Sequence, residues 1–349
     1  MLCGSEGRNK MIPFRSRQAV GRLFSSVLVM LLVLAIAIVC WGLWLNRYIV
    51  YTRDGAVLDF SIDLNFPEAE PAEPAAPTPT IDIYYNEGDN AISPITSELR
   101  QLEGYHVTEA MLQGDIAAIS KQIQLLPTGT PIMLDVKNIR GDFLYNSNQG
   151  YLSEKVDRDA LEAMITTLRS KGYYLIARLP AFRDYRYGLA NVNDGLFNLN
   201  QMSLWMDADR CYWLNPERDG TLTYLLQIIS EIKALGFDEV VFYDFRFPDT
   251  DKIYFTGDKA AAIEKIASVL VKTCTTDKFA VSFISGTADF PLPEGRTRLY
   301  FQGVAAADAA NLASQTGVAD PAVKLVFLTD LMDTRFDSYG VLRPFPIEE

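Results

Sequence analysis

GFDEVVFYDFRFPD, Gly236 to Asp249, reads as a buried β-strand that ends in charge. Val240 to Tyr243 and Phe245 suit the inside of a sheet, yet Asp244 and Arg246 stand among them just before Pro248 stops the pairing. Side chains along a strand alternate between faces, so this spacing predicts that Asp244 and Arg246 share one side where the chain leaves the sheet. A structural ion pair and a functional site both fit that arrangement.

Seven other runs have the same strand-like character: GYHVTEAML from Gly104, PIMLDVKN from Pro131, YYLIARLP from Tyr173, CYWLNP from Cys211, KFAVSFIS from Lys278, RLYFQGV from Arg298 and KLVFLTD from Lys324. Helical spacing separates several of them. Ile116, Ile119, Ile123 and Leu126 recur at helix period, as do Leu161, Met164, Ile165 and Leu168, then Leu222, Leu225, Leu226 and Ile229. Residues 258–272 and 304–315 also read as helical, whereas GTADFPLPEGRT, after the strand ending at Ser285, holds too much proline and glycine for a full helix. Eight strands alternating with helices predict a (β/α)8 TIM barrel, for which about 250 residues is typical. A doubly wound open sheet is the alternative, but no GxGxxG follows a strand, so a Rossmann nucleotide site is not expected.

The first eighty residues are of a different kind. No charged residue falls between Leu23 and Asn46, and LFSSVLVMLLVLAIAIVCWGLWL is long enough to cross a hydrocarbon core. It predicts an uncleaved transmembrane helix over 23–46, with 1–22 as a cytoplasmic tail. Arg8, Lys10, Arg15, Arg17 and Arg22 precede the span, so the positive-inside bias puts everything after it outside the cell. PEAEPAEPAAPTPT, from Pro67, belongs to an extended stalk over 47–80, and residues 81–349 form the domain, with a short strand expected at 81–88.

Charge and composition exclude several classes of chemistry. The first 22 residues sum to +4, so the remainder of a chain at −12 carries −16 and should repel nucleic acid and anionic wall polymers. His106 is the single histidine, which removes HExxH and histidine-cluster zinc sites and a Ser-His-Asp triad. No cofactor or metal motif is expected. Cys211 and Cys274 are the two cysteines of the ectodomain, and their spacing leaves a disulfide open.

TIM barrels carry their sites at the C-terminal ends of the strands, and those ends are polar here. Glu109, Asp135, Lys137, Arg178, Asp244, Arg246 and Asp330 all fall there. Carboxylates in pairs are what glycosidic bond cleavage needs, one as proton donor and one as base or nucleophile. Asp135, Asp244 and Glu109 are therefore the candidate catalytic carboxylates. Asp244, one spacer from Arg246, is expected to be the ionised partner rather than the donor. Lys137, Arg140, Arg178, Arg246 and Tyr243 are candidate ligand-binding residues, and Tyr185, Trp205 and Trp213 are candidate aromatic faces for stacking on sugar rings.

Four stretches in order, PIMLDVKNIRGDFLYNS, YYLIARLPAFRD, SLWMDADRCYWLNP and ALGFDEVVFYDFRFPD, resemble a bacterial family of glycoside hydrolase-like TIM-barrel domains. Its members are commonly held outside the cell by an N-terminal anchor. The similarity spans roughly residues 103–330 and implies a barrel with a carbohydrate-directed role. It has two departures. The family's usual acid in the Gly236–Asp249 stretch falls on Tyr243, so the acid has moved by one to Asp244, and an acid often found after Val281-Ser282 is replaced by Phe283, Ile284 and Ser285. A shift of one residue reverses the face of a strand unless a bulge re-aims it. Two readings follow: a cell-surface glycan hydrolase, or a degenerate barrel that binds glycan or a protein partner.

Overall fold

The computed structural model describes residues 99–346, together with residues 30–32 and 34 in helix and the backbone of an antiparallel hairpin, Ile49–Thr52 with Gly55–Leu58. The rest of the expected span at 23–46, most of the expected stalk and the strand expected at 81–88 lie outside the described residues. Among the described residues no helix is long and apolar enough to cross a membrane. Contacts divide the chain into Met1–Glu87 and Gly88–Glu349, and the second unit holds a closed barrel of eight parallel strands.

The barrel strands are β1 (Glu103–Val107), β2 (Pro131–Asp135), β3 (Tyr174–Pro180), β4 (Glu239–Tyr243), β5 (Ala280–Ser285), β6 (Leu299–Gln302), β7 (Leu325–Leu328) and β8 (Gly340–Pro344), paired in sequence order. Helices α1 (Ile116–Ile123), α2 (Arg158–Ser170) and α3 (Asp219–Leu235) fall on the three predicted apolar stripes, and α4 (Lys259–Cys274) and α5 (Ala309–Thr316) on the two further segments expected to be helical. Asp115, Asp157 and Asp258 cap α1, α2 and α4 by accepting from backbone amides of their first turns. No helix stands between β5 and β6 among the described residues, as the proline and glycine content there predicts.

One expected barrel strand lies elsewhere. CYWLNP is not in the barrel: Tyr212, Trp213 and Leu214 make isolated bridges to Met206, Arg183 and Gly195, inside the long excursion that follows β3. Its apolar residues are buried, but beneath that loop rather than within the sheet. The eighth strand is Gly340–Pro344, whose terminal proline and shortness hid it, and it closes the ring by pairing with β1 from Val341↔Glu103 to Pro344↔His106.

The lumen is layered. Met133, Ile176, Val241, Tyr300, Val326 and Leu342 pack together in its middle. Two residues before several of these, at the N-terminal end, Tyr174 donates its hydroxyl to Glu239 at 2.9 Å, and Glu239 also accepts from Tyr300 of the middle layer at 2.9 Å and ion-pairs with the buried Arg298. Two residues after them, strand alternation aims Asp135, Arg178, Tyr243, Gln302 and Pro344 at the C-terminal mouth.

Strand β1 allows no side chain at Gly104. A Cβ there would lie 2.0 Å from the backbone carbonyl oxygen of Pro131 in β2. Gly286, by contrast, faces open space. Gly104→Ala is expected to cost on the order of 3 kcal/mol or to prevent folding, and Gly286→Ala to stay within about 0.5 kcal/mol of wild type, in urea unfolding followed by circular dichroism. Equal stability of the two variants would contradict this closure geometry.

Candidate active site

Asp135 ends β2 in register with Arg178 of β3. Its Oδ1 receives Arg178 Nη1 at 2.9 Å and contacts His106 Nε2 at 2.9 Å, while its Oδ2 accepts the Glu109 backbone amide at 2.9 Å. Burial alone would raise this carboxyl. The His106 hydrogen bond and the Arg178 charge outweigh it and hold Asp135 down to about 2. These residues line a cavity of about 550 Å³ at the mouth, with Thr108, Gln302 and Asp330 on its walls.

Arg178 also lies over the Tyr243 ring, 4.3 Å from its centroid, and reaches Gln302 at 3.3 Å. Burial pushes the Tyr243 hydroxyl well above its ordinary range, so it stays protonated as a neutral donor beside Asp135 and Asp244.

The strand stops at Tyr243 and does not continue through Arg246, which corrects the shared face expected for Asp244 and Arg246. Asp244 has φ +50°, a left-handed conformation that aspartate tolerates better than most residues. The turn sinks Phe245 among Phe182, Phe283 and Phe242, with ring centroids at 4.6, 4.6 and 6.1 Å. Alternation is broken there, and Asp244 comes within electrostatic reach of Arg178 although it neighbours Tyr243 in sequence. Its carboxylate is 3.8 Å from Arg183 and 3.9 Å from Arg246.

Burial raises the Asp244 carboxyl, and Arg183, Arg246 and Arg178 only partly offset it. The net direction is opposite to the one Arg246 alone would give. At 3.9 Å, with its side chain 55% exposed, Arg246 is too far and too well solvated to cancel the desolvation. Two carboxyls at one mouth are thus driven apart, Asp135 down and Asp244 up.

Glu109 does not end a strand but opens the short helix Glu109–Leu112, where it accepts from Asn138 Nδ2 at 2.8 Å. Lys137 is not open to a ligand. Its side chain is fully buried and its ammonium lies 2.6 Å from Asp184 Oδ2, so Lys137 is paired with Asp184 and not with Asp135. Arg140 is exposed and ties the loop after β2 to the Arg210 carbonyl at 3.2 Å. The aromatic faces are largely taken. Tyr185 stacks on Tyr212 at 5.5 Å, Trp205 packs against the core, and the buried Trp213 donates Nε1–H to Asp207 at 2.9 Å with Arg183 and Arg246 over its ring. Cys211 and Cys274 are both buried free thiols. Among the described residues no cluster of histidine, cysteine and carboxylates could hold a metal.

The structure adds His106, Arg183, Asp184, Asp207 and Gln302 to the neighbourhood of the mouth. Arg183 Nε holds Asp207 at 2.6 Å, and its guanidinium also pairs with Asp209. Arg183 and Asp184 stand in LPAFRD and Asp207 in LWMDAD, stretches that carried the family resemblance, and this was the available signal.

The two carboxyls should leave opposite marks on stability. Asp135 has a lowered folded pKa, so its contribution is present above the unfolded value of about 3.9 and is lost as pH falls through about 2. Asp135→Asn is expected to cost on the order of 2 kcal/mol at pH 7. Asp244 has a raised folded pKa, so it lowers stability as pH rises past the ordinary carboxyl range. Asp244→Asn is therefore expected to raise Tm at pH 7 and to lose that gain at pH 3. Thermal unfolding of both variants between pH 3 and pH 7 checks the signs.

Comparison with curated proteins finds no match. Among solved structures, a hypothetical protein from Ruminiclostridium thermocellum ATCC 27405 is 20% identical, with a TM-score of 0.45, over 52% of this chain and 96% of its own. An exo β-N-acetylglucosaminidase of Vibrio harveyi is 10% identical, with a TM-score of 0.45, over 70% of this chain and 50% of its own. The α-galactosidase of Lactobacillus brevis is 10% identical, with a TM-score of 0.49, over 72% of this chain and 38% of its own. The chain thus spans half or less of the length of these two enzymes. Residues 106–282, from His106 at the mouth to Ser282 in β5, match a family model covering more than half of the chain, and the chain belongs to the family described as "Putative glycosyl hydrolase domain".

Proposed function

We propose that this barrel hydrolyses a glycan outside the cell, with Asp244 as proton donor and Asp135 as the ionised carboxylate. The observation that carries the reading is the opposed perturbation of the two groups, Asp135 held near 2 and Asp244 raised by burial. Glycosidic cleavage needs that division of labour, a protonated acid for the leaving oxygen and an anion for the charge that develops at the anomeric carbon. Tyr243, neutral and within electrostatic reach of both, supplies a hydroxyl donor for a sugar oxygen. Arg178 and His106 fix the Asp135 carboxylate so that it need not reorganise during the reaction.

The apolar run 23–46 and the basic residues before it support a surface location, with the N-terminus cytoplasmic and the barrel on a stalk. Glycan is the proposed ligand, and nucleic acid is disfavoured by the acidic balance. A second reading, a barrel that binds glycan without cleaving it, is favoured by one observation: Asp135 already has three partners, in His106, Arg178 and the Glu109 amide.

Release of reducing ends from a panel of wall and environmental polysaccharides separates the readings. Hydrolysis predicts turnover that Asp244→Asn and Asp135→Asn each lower by 10²-fold or more. The rate should fall as pH rises through the raised Asp244 value and should persist on the acid side toward about 2. Binding by wild type without turnover at any pH would leave the second reading, and turnover unchanged in both variants would remove these carboxyls from the chemistry.

A further inference from the structure

Arg183 faces Asp244, yet its guanidinium is already engaged. Its Nε donates to Asp207 Oδ2 at 2.6 Å, its Nη2 pairs with Asp209, and its Nη1 is turned to Asp244 Oδ2 at 3.8 Å. At that distance the contact with Asp244 is one of charge without a hydrogen bond. A carboxyl that must keep its proton is badly served by an uncompensated guanidinium, which would hold it ionised as Arg178 helps to hold Asp135.

Asp207 is fixed from three sides. Its Oδ1 accepts the Cys211 amide at 2.9 Å across a tight turn in which Arg210 has φ +58°, and its Oδ2 accepts the Trp213 indole N–H at 2.9 Å as well as Arg183. Burial would raise the Asp207 carboxyl, but the Cys211 amide, the Trp213 indole and Arg183 outweigh it and keep Asp207 ionised. Its side chain is 11% exposed, so water screens its charge little. Asp209, at 66% exposed, meets the same cation in solvent, where an ion pair counts for little. The Trp213 ring also lies under Arg183 and Arg246, 5.8 and 5.3 Å from its centroid, so both cations are anchored to one indole. The groups that face Asp244 are thus Arg183 and Asp207 from the excursion, Arg178 from β3, and Tyr243 and Arg246 from its own stretch. Asp207 is the anion among them.

We propose that Asp207 is a positioning residue for the acid: by taking up the charge of Arg183 it lets Asp244 keep a proton beside a guanidinium. The inference rests on the reading of Asp244 as proton donor and names the residue that sets its charge state. Asp207 acts on Asp244 through Arg183. A carboxylate that did no more than fasten the turn at Cys211 would leave Asp244 unaffected.

A thermodynamic cycle on the full chain reads this without turnover. Asp244→Asn should raise Tm at pH 7, and the size of that gain measures how strongly the site resists charge on Asp244. Asp207→Asn leaves Arg183 with a charge that Asp244 then neutralises, so in that background Asp244→Asn should give no gain or a loss. Independent carboxylates would give additive shifts instead. Asp209→Asn should leave the gain as it is in wild type. Arg183→Gln, which removes the cation, should enlarge it. Where glycan is turned over, the basic limb of the pH profile should move down by about one pH unit in Asp207→Asn. The inference is overturned by an absent gain in wild type, by an equal gain in wild type and Asp207→Asn, by a gain lost as fully in Asp209→Asn, or by a smaller gain in Arg183→Gln. A basic limb that stays in place while the Tm gain disappears would overturn Asp244 as the donor and leave its coupling to Asp207 standing.

Discussion

The ring closes through the pairing of β8 with β1, and every functional placement in the barrel depends on that closure. Val341↔Glu103 through Pro344↔His106 brings the last barrel strand onto the first barrel strand. The neighbouring strands are as close: Gly104 of β1 abuts the Pro131 carbonyl of β2, and a Cβ at Gly340 of β8 would meet Val326 and the Leu325 carbonyl of β7 at 3.0 and 3.1 Å. Closure sets the lumen register, and the register determines which side chains reach the mouth. Met133 leads to Asp135, Ile176 to Arg178, Val241 to Tyr243 and Tyr300 to Gln302, each two residues on. His106 reaches Asp135 because β1 lies beside β2 in the closed ring.

Two buried ion pairs then divide the structural labour. Glu239 and Arg298 seal the N-terminal end of the lumen, where Tyr174, Ser282 and Tyr300 saturate the carboxylate. Lys137 and Asp184 do the equivalent under the mouth. Asp184 also accepts from Tyr224 and caps the short helix Tyr185–Ala190 through the Tyr187 amide. Such pairs add little net stability compared with apolar packing, yet removal of one partner strands a buried charge and costs several kcal/mol. Their value here is positional. Asp184 immobilises the residue before it, Arg183, whose guanidinium spans Asp207 and Asp244. The excursion after β3 is thereby bound into the site.

Much of this was legible in the residues. The alternation of apolar runs with helical stripes implies the barrel, and Asp135 and Arg178 follow from strand ends because both sit at lumen-facing positions of uninterrupted strands. The eighth strand was hidden because GVLRP is short and ends in proline, while CYWLNP has stronger strand chemistry but spends it under a loop. Asp244 departs from its expected place for a different reason. No residue pattern announces a left-handed aspartate, and without that turn the spacing to Arg246 suggests a tight pair that the structure opens to 3.9 Å. Lys137 illustrates the converse, since a lysine two residues beyond an acid looks like its partner until an aspartate distant in sequence claims it. Arg183 and Asp207 lie in aperiodic chain, where spacing carries no directional information.

The single histidine of the chain has a use of its own. Its ring nitrogen rests against the Asp135 carboxylate, and its side chain keeps 14% of its surface open toward the mouth. One imidazole means one pair of ring-proton resonances in a magnetic resonance spectrum, with no assignment problem. Their chemical shift responds directly to the charge on Asp135 and to whatever enters the cavity beside it. The molecule thus contains, without labelling or engineering, a spectroscopic reporter placed at the bond its carboxylate makes.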